Sequence, residues 1–80
     1  MKNEVKEEIK NIISDILNLT FDKEDNEITS KNYDKWDSIA HINIILSIEE
    51  KFQIVFKEEE ILESMSLNLL FERVKNKIEK

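Results

Sequence analysis

Apolar residues recur at the spacing of an α-helix in three long segments of this chain, and that spacing limits the fold more than any other feature. The first segment covers residues 2 to about 17, and its apolar face carries Val5, Ile9, Ile12, Ile13, Ile16 and Leu17. The second segment runs from Ser38 to Phe52, and the last follows Ser66, a residue type that favours helix N-caps. The apolar face of the last segment carries Leu67, Leu70, Phe71, Val74 and Ile78. We therefore predict three long helices.

The segments between these helices predict one long loop and one short helix. Residues 18–37 show no sustained period and are rich in Asn, Asp, Thr and Ser, which favour turns. We expect an ordered loop with Ile28 in a short helical turn, anchored to the helices by Phe21, Ile28, Tyr33 and Trp36. Residues 57 to about 64 predict a short third helix whose inward side chains are Ile61, Leu62 and Met65. The expected fold is all-α: a four-helix bundle in a single domain, residues 1–80.

Composition excludes several classes of function. The chain has no Cys and one His, which excludes disulfides and thiol nucleophiles and disfavours a metal site. A net charge of −6 disfavours binding to nucleic acid or to an anionic membrane surface, and fits a basic protein partner. No apolar run is long enough to span a membrane, and the start of the chain lacks the apolar segment of a signal peptide. We expect a cytoplasmic monomer and, because no catalytic set can be assembled, no enzyme.

A serine stands where the long loop gives way to the most apolar helix. Asp37 and Ser38 are both of types preferred at helix N-caps. The helix that follows has a seam that we expect to face the core, formed by Ile44, Ile48 and Phe52. Beside it lies a second seam, formed by Ile39, Ile42 and Leu46.

The second seam is expected to be partly exposed. Glu49 projects into it, and a carboxylate is tolerated there only if that side of the helix touches water. An apolar strip edged by carboxylates is typical of a surface that binds a partner.

The segment Asp37-Ser38-Ile39 resembles the Asp-Ser-Leu motif of acyl carrier and peptidyl carrier proteins. The resemblance covers the whole chain: the order of elements, the long first loop, the motif at the start of the second helix, the segment 48–54 and the acidic third helix. It implies a four-helix bundle of acyl-carrier type, with three long helices and a short third one. It also implies that the serine carries 4′-phosphopantetheine, whose thiol holds an acyl or aminoacyl group as a thioester.

On this resemblance Ser38 is the attachment residue, and Asp37 is the acidic neighbour that a phosphopantetheinyl transferase reads. The residues implied to contact partner enzymes are Ile39, Ile42, Leu46, Glu49 and Glu50. The further implied partners are acyl- or aminoacyl-activating and acyl-transferring enzymes. The chain departs from the common pattern at Trp36, Ile39, Ala40, Asn43 and Lys57, which makes the recognition surface less acidic than in a fatty-acid carrier. We therefore expect a dedicated carrier of a specialised biosynthetic pathway, with a cargo that the sequence does not name.

A second class of function is compatible with the same residues. An unmodified acidic helical adaptor would bind a protein through the second helix, and Ser38 would then be a simple N-cap. His41 is interpreted as a surface or loop-packing residue, because no acid is placed to orient it as a base. The acidic run Glu58–Glu60 fits a solvated first helical turn and a partner contact equally well.

Overall fold

The structure is a computed structural model that describes residues 2–21 and 24–78, so residues 22 and 23 of the long loop lie outside it. Within these ranges the chain is all-helical and has no strand of a sheet. The four α-helices are α1 (Lys2–Leu17), α2 (Ser38–Phe52), α3 (Glu58–Glu63) and α4 (Leu67–Ile78). The predicted all-α class, with three long helices and a short third one, is confirmed, and so are the predicted bounds of α1 and α2. None of the described helices is long and apolar enough to cross a membrane.

The core forms where α1 packs against both α2 and α4. Each of these helices contributes residues three or four positions apart, which lie on one face because the helix repeats every 3.6 residues. The fully or nearly fully buried helical side chains are Ile9, Ile13, Leu17, Ile44, Ile45, Ile48, Leu67, Leu70 and Val74. Ile78, at the end of the predicted face of α4, is 44% exposed.

The long loop is attached to the helices by both apolar and polar contacts. Ile28 and Trp36 are buried, and the rings of Phe21 and Tyr33 meet edge to face with centroids 5.2 Å apart. The predicted anchoring of the loop is therefore confirmed. The helical turn is a short 3-10 helix, Asp25–Glu27, which ends one residue before Ile28. Ile28 follows it with its carbonyl accepting the Leu67 N–H at 2.9 Å.

An ion-pair cluster fixes the 3-10 helix against α1. The Asp25 carboxylate lies 3.2 Å from Lys10 Nζ and 3.5 Å from Lys6 Nζ. Burial alone would raise the pKa of Asp25, but the hydrogen bonds and charges of the two lysines outweigh it and lower the pKa.

The short helix α3 buries none of its own residues, and one prediction about it is wrong. Leu62 was expected to face inward, yet it is 69% exposed, whereas Ile61 and Met65 are half-buried. A helix of six residues has less than two turns, so only a narrow face can meet the bundle, and Ile61 occupies it. Charged groups hold α3 to α4: Glu60 lies 2.9 Å from Lys77 Nζ and 3.6 Å from Arg73 Nη1.

Candidate functional site

Asp37, not Ser38, caps the N-terminus of α2. The backbone of Asp37 is extended, with φ −99° and ψ −172°, and its Oδ1 accepts the Ala40 N–H at 2.9 Å. Ser38 is the first residue with helical backbone. The alternative in which Ser38 is the N-cap is therefore wrong, because Asp37 already accepts the N–H of the residue three positions further along the chain.

Ser38 is exposed at this first helical position. No hydrogen bond joins its hydroxyl to any residue that the structure describes. The first N–H groups of a helix have no acceptor within the helix and create a partial positive charge, which favours a negatively charged group. The hydroxyl is therefore available for modification, and the backbone beside it tolerates a phosphate.

The predicted site residues of α2 share one continuous surface. At 100° per residue, they fall within an arc of roughly 120°, in the order Ser38, Glu49, Ile42, Leu46, Ile39 and Glu50. The apolar residues among them are exposed by 75% at Ile39, 48% at Ile42 and 56% at Leu46. We call these three residues the α2 strip. Its predicted exposure is confirmed, while its role in binding a partner stays a prediction.

The two glutamates at the edge of the α2 strip differ in their contacts. Glu49 is half-buried, and its Oε2 accepts the Phe56 backbone N–H at 2.7 Å. Glu50 is exposed, and its carboxylate has no partner among the described residues. Glu49 therefore fastens the segment after α2, a structural task that the sequence did not reveal.

His41 is buried, with 3% of its surface exposed, and contacts the loop in front of Ser38. Its Nδ1 accepts the indole N–H of Trp36 at 3.0 Å, and its Nε2 lies 2.7 Å from the Ile61 carbonyl oxygen of α3. Burial lowers the pKa of His41, and the hydrogen bond to Ile61 partly opposes that effect. The interpretation of His41 as a loop-packing residue is confirmed, and its alternative as a surface residue is wrong. The nearby Trp36, a donor that needs an acceptor once buried, was the available signal.

The chain has further exposed apolar groups outside the predicted site. Val55, in the segment after α2, is 76% exposed. An open groove of about 400 Å³ lies between the long loop and the α3–α4 corner, and it is lined by Thr29, Ser30, Lys31, Leu62, Glu63, Met65, Ser66 and Leu69. No predicted site residue lines this groove. In the part of the chain that the structure describes, no three metal-ligating side chains come together.

Comparison of this chain with protein-family models, with curated proteins and with solved structures finds no match. A function for this chain must therefore be argued from its own residues and their geometry.

Proposed function

We propose that this chain is a stand-alone acyl or aminoacyl carrier protein, built as a four-helix bundle of the acyl-carrier type and modified on Ser38 with 4′-phosphopantetheine. The observation that carries the proposal is the division of roles at the start of α2. Asp37 caps the helix, while the Ser38 hydroxyl is exposed and makes no hydrogen bond to the described residues. A group attached to Ser38 does not compete with the cap.

The residues at the N-terminus of α2 are suited to the attachment of the cofactor. The transfer would join Ser38 Oγ to the phosphorus of the phosphopantetheine portion of coenzyme A and break the pyrophosphate bond, with adenosine 3′,5′-bisphosphate as the leaving group and the hydroxyl proton passing to a base of the transferase. The resulting phosphodiester lies at the positive end of α2, where the helix dipole favours it. When bound, the cofactor supplies the thiol that a chain without cysteine lacks.

The α2 strip supports docking to partner enzymes. Three exposed apolar side chains lie within about 10 Å along the helix and next to Ser38, so an enzyme that covers them also meets the modified serine. The tether then holds the cargo at high effective concentration near successive active sites. The partners in this proposal are a phosphopantetheinyl transferase and the enzymes that load and unload the thiol. Its expected location is the cytoplasm, in a specialised biosynthetic pathway.

Intact-protein mass after incubation with coenzyme A and a broad-specificity phosphopantetheinyl transferase tests this proposal. We expect the wild type to gain one phosphopantetheinyl group and Ser38→Ala to gain none. Circular dichroism should show the same helicity for both proteins, because the Ser38 hydroxyl is not the cap. A wild type that was unmodified at the start, is folded and gains no mass would refute the carrier function.

One observation favours a second candidate, an unmodified adaptor. The α2 strip is exposed whether or not Ser38 carries a group. An adaptor would bind its protein partner equally well with Ser38→Ala, whereas a carrier would lose all acyl loading. Substituting Ile42→Glu in the strip should weaken partner binding in both cases and so serves as the common control.

A further inference from the structure

His41 is held in one protonation state by the chemistry of its two partners. An indole N–H can only donate a hydrogen bond, and a carbonyl oxygen can only accept one. The nitrogen that faces Trp36, Nδ1, must therefore lack a proton, and Nε2, which faces Ile61, must carry one. The contacts select the neutral imidazole with its proton on Nε2. An imidazolium would direct a second N–H at the indole N–H.

These two hydrogen bonds join three parts of the molecule. Trp36 is the last loop residue before the Asp37 cap, His41 lies in the first turn of α2, and Ile61 belongs to α3. Trp36 is nearly fully buried, and its ring lies 5.9 Å from the imidazole ring. Moving the imidazole would therefore disturb the backbone that leads directly into Asp37 and Ser38.

We propose that His41, held as a neutral imidazole between Trp36 and Ile61, is a positioning residue for the modification of Ser38 and makes that modification sensitive to pH. This inference rests on the proposed carrier function. A transferase must receive the serine in a defined geometry, and small displacements of a reacting group reduce rates strongly. Protonation of His41 removes the hydrogen bond from Trp36 and frees the loop end that fixes this geometry.

The charged groups around the imidazole are engaged elsewhere or exposed. Asp37 accepts the Ala40 N–H, Glu60 pairs with Lys77, and Glu63 pairs with Arg73. The remaining charged residues of the loop end and of α3 are exposed, and they are Asp34, Lys35, Glu58 and Glu59. None of these charges contributes to the pKa of His41, which burial lowers and only the Ile61 hydrogen bond raises. The protonation of His41 is therefore governed by its burial and its contact with Ile61, while the Trp36 N–H requires Nδ1 to stay unprotonated.

Substituting Trp36→Phe separates positioning from bulk packing, because it keeps an aromatic ring and removes the N–H donor. Nδ1 can then take up a proton, so the pKa of His41 should rise towards its ordinary value of 6.5. The chain has one histidine, so ¹⁵N NMR reads its tautomer and titration without ambiguity. We expect the wild type to show the proton on Nε2.

A competition assay measures the effect on modification. Wild type and Trp36→Phe are mixed with limiting transferase and coenzyme A, and intact mass gives the ratio of their kcat/KM values at each pH. The ratio cancels the pH dependence of the transferase itself. We expect Trp36→Phe to fall behind at neutral pH, because it lacks the hydrogen bond to His41 at every pH, and the ratio to return towards one as the pH drops through the wild-type titration of His41, where the wild type loses the same bond.

The double variant Trp36→Phe/His41→Gln is the matched control, since it lacks the same indole but has no titrating imidazole. Its ratio to Trp36→Phe should not change with pH, because neither variant has the hydrogen bond that protonation of His41 removes. As a second pair, wild type should fall behind His41→Gln as the pH drops through the wild-type titration of His41. A ratio of wild type to His41→Gln that stays flat across the wild-type titration of His41 would overturn the positioning role, and so would a wild-type proton on Nδ1. If the wild type is not modified at any pH, the carrier function fails first and this proposal falls with it.

Discussion

At the scale of single residues, Asp37 and Ser38 are both of types that can cap a helix, but only Asp37 does so. The Asp37 carboxylate holds the Ala40 N–H, and the Ser38 side chain is left outside the capping hydrogen bonds. Adjacent residues can differ in this way because Asp37 has the extended backbone of an N-cap, whereas Ser38 is already helical. The residue that stabilises α2 is thus separate from the residue that is chemically available.

Alanine substitutions at these two positions should have unequal effects on stability. Asp37→Ala should lower the free energy of unfolding by about 1 kcal/mol, because the Ala40 N–H loses its acceptor. Ser38→Ala should change it by less than about 0.5 kcal/mol, as expected for a surface substitution. Urea unfolding followed by circular dichroism measures both.

Asp37→Asn is the control, because asparagine caps a helix about as well as aspartate but has no charge. Equal losses for Ser38→Ala and Asp37→Ala would contradict the assignment of the cap. If Asp37→Asn keeps the stability of the wild type but is modified more slowly, the charge of Asp37 serves recognition by the transferase.

At the scale of elements, α3 differs from the three long helices because polar contacts hold it in place. Its Ile61 carbonyl accepts a hydrogen bond from His41, and Glu60 accepts the Lys57 N–H at 2.8 Å and pairs with Lys77. The backbone hydrogen bond to Lys57 is the largest influence that lowers the pKa of Glu60, and the hydrogen bond from Lys77 adds to it. The stability of the contacts between α3 and the rest of the protein should therefore depend on pH more than the packing of the apolar core does.

The contribution of Glu60 to stability should disappear in acid. Its pKa in the folded protein lies below the ordinary value of 4.5, so its contribution is complete above that pH and is lost as the pH falls through the folded pKa. Glu60→Gln should lower the free energy of unfolding at pH 7 by about 1 kcal/mol or less, and the deficit should shrink below about pH 4.5. Thermal unfolding at a series of pH values measures this difference.

Glu59→Gln is the matched control in the same helical turn, because Glu59 is exposed. Its substitution should change neither the stability nor its pH dependence by a measurable amount. A deficit for Glu60→Gln that stays constant into acid would show that the ionised carboxylate does not hold α3.

The sequence predicts features that depend on local spacing and fails where distant segments meet. Helix bounds and the exposed α2 strip follow from periodicity and from side-chain preferences near Ser38. The hydrogen bonds from His41 to Ile61 and from Phe56 to Glu49 depend on how separate elements pack, which no local pattern specifies. Glu49 illustrates the limit: the α2 strip beside it is exposed as inferred, but its half-buried carboxylate accepts the Phe56 backbone N–H, a contact that the spacing did not predict.

At the scale of the whole molecule, one core holds the helices and the long loop together. Ile28 and Trp36 of the loop belong to the same buried cluster as the helices, and the Ser30 N–H bonds the Met65 carbonyl at 3.0 Å beside α4. An 80-residue chain with one core has a free energy of unfolding of roughly 4–12 kcal/mol. The loop and the helices should therefore unfold together.

The fluorescence of the single tryptophan should report this global transition. Trp36 is buried at the loop end, so its emission should shift to the red as it becomes exposed to water. We expect the urea midpoint from Trp36 emission to coincide with the midpoint from far-ultraviolet circular dichroism, as for a two-state domain. A lower urea midpoint for Trp36 emission would mean that the end of the long loop before Ser38 unfolds while the helices are still folded.

The separation of the cap from Ser38 also makes this protein easy to label at one defined point. The chain contains no cysteine, so Ser38→Cys would introduce its sole thiol at an exposed position that the helix does not need for its cap. A maleimide dye, a spin label or a solid support could be coupled there in a single orientation, with Asp37 still closing α2. Position 38 would then provide a single attachment point for single-molecule measurements and for immobilising the protein.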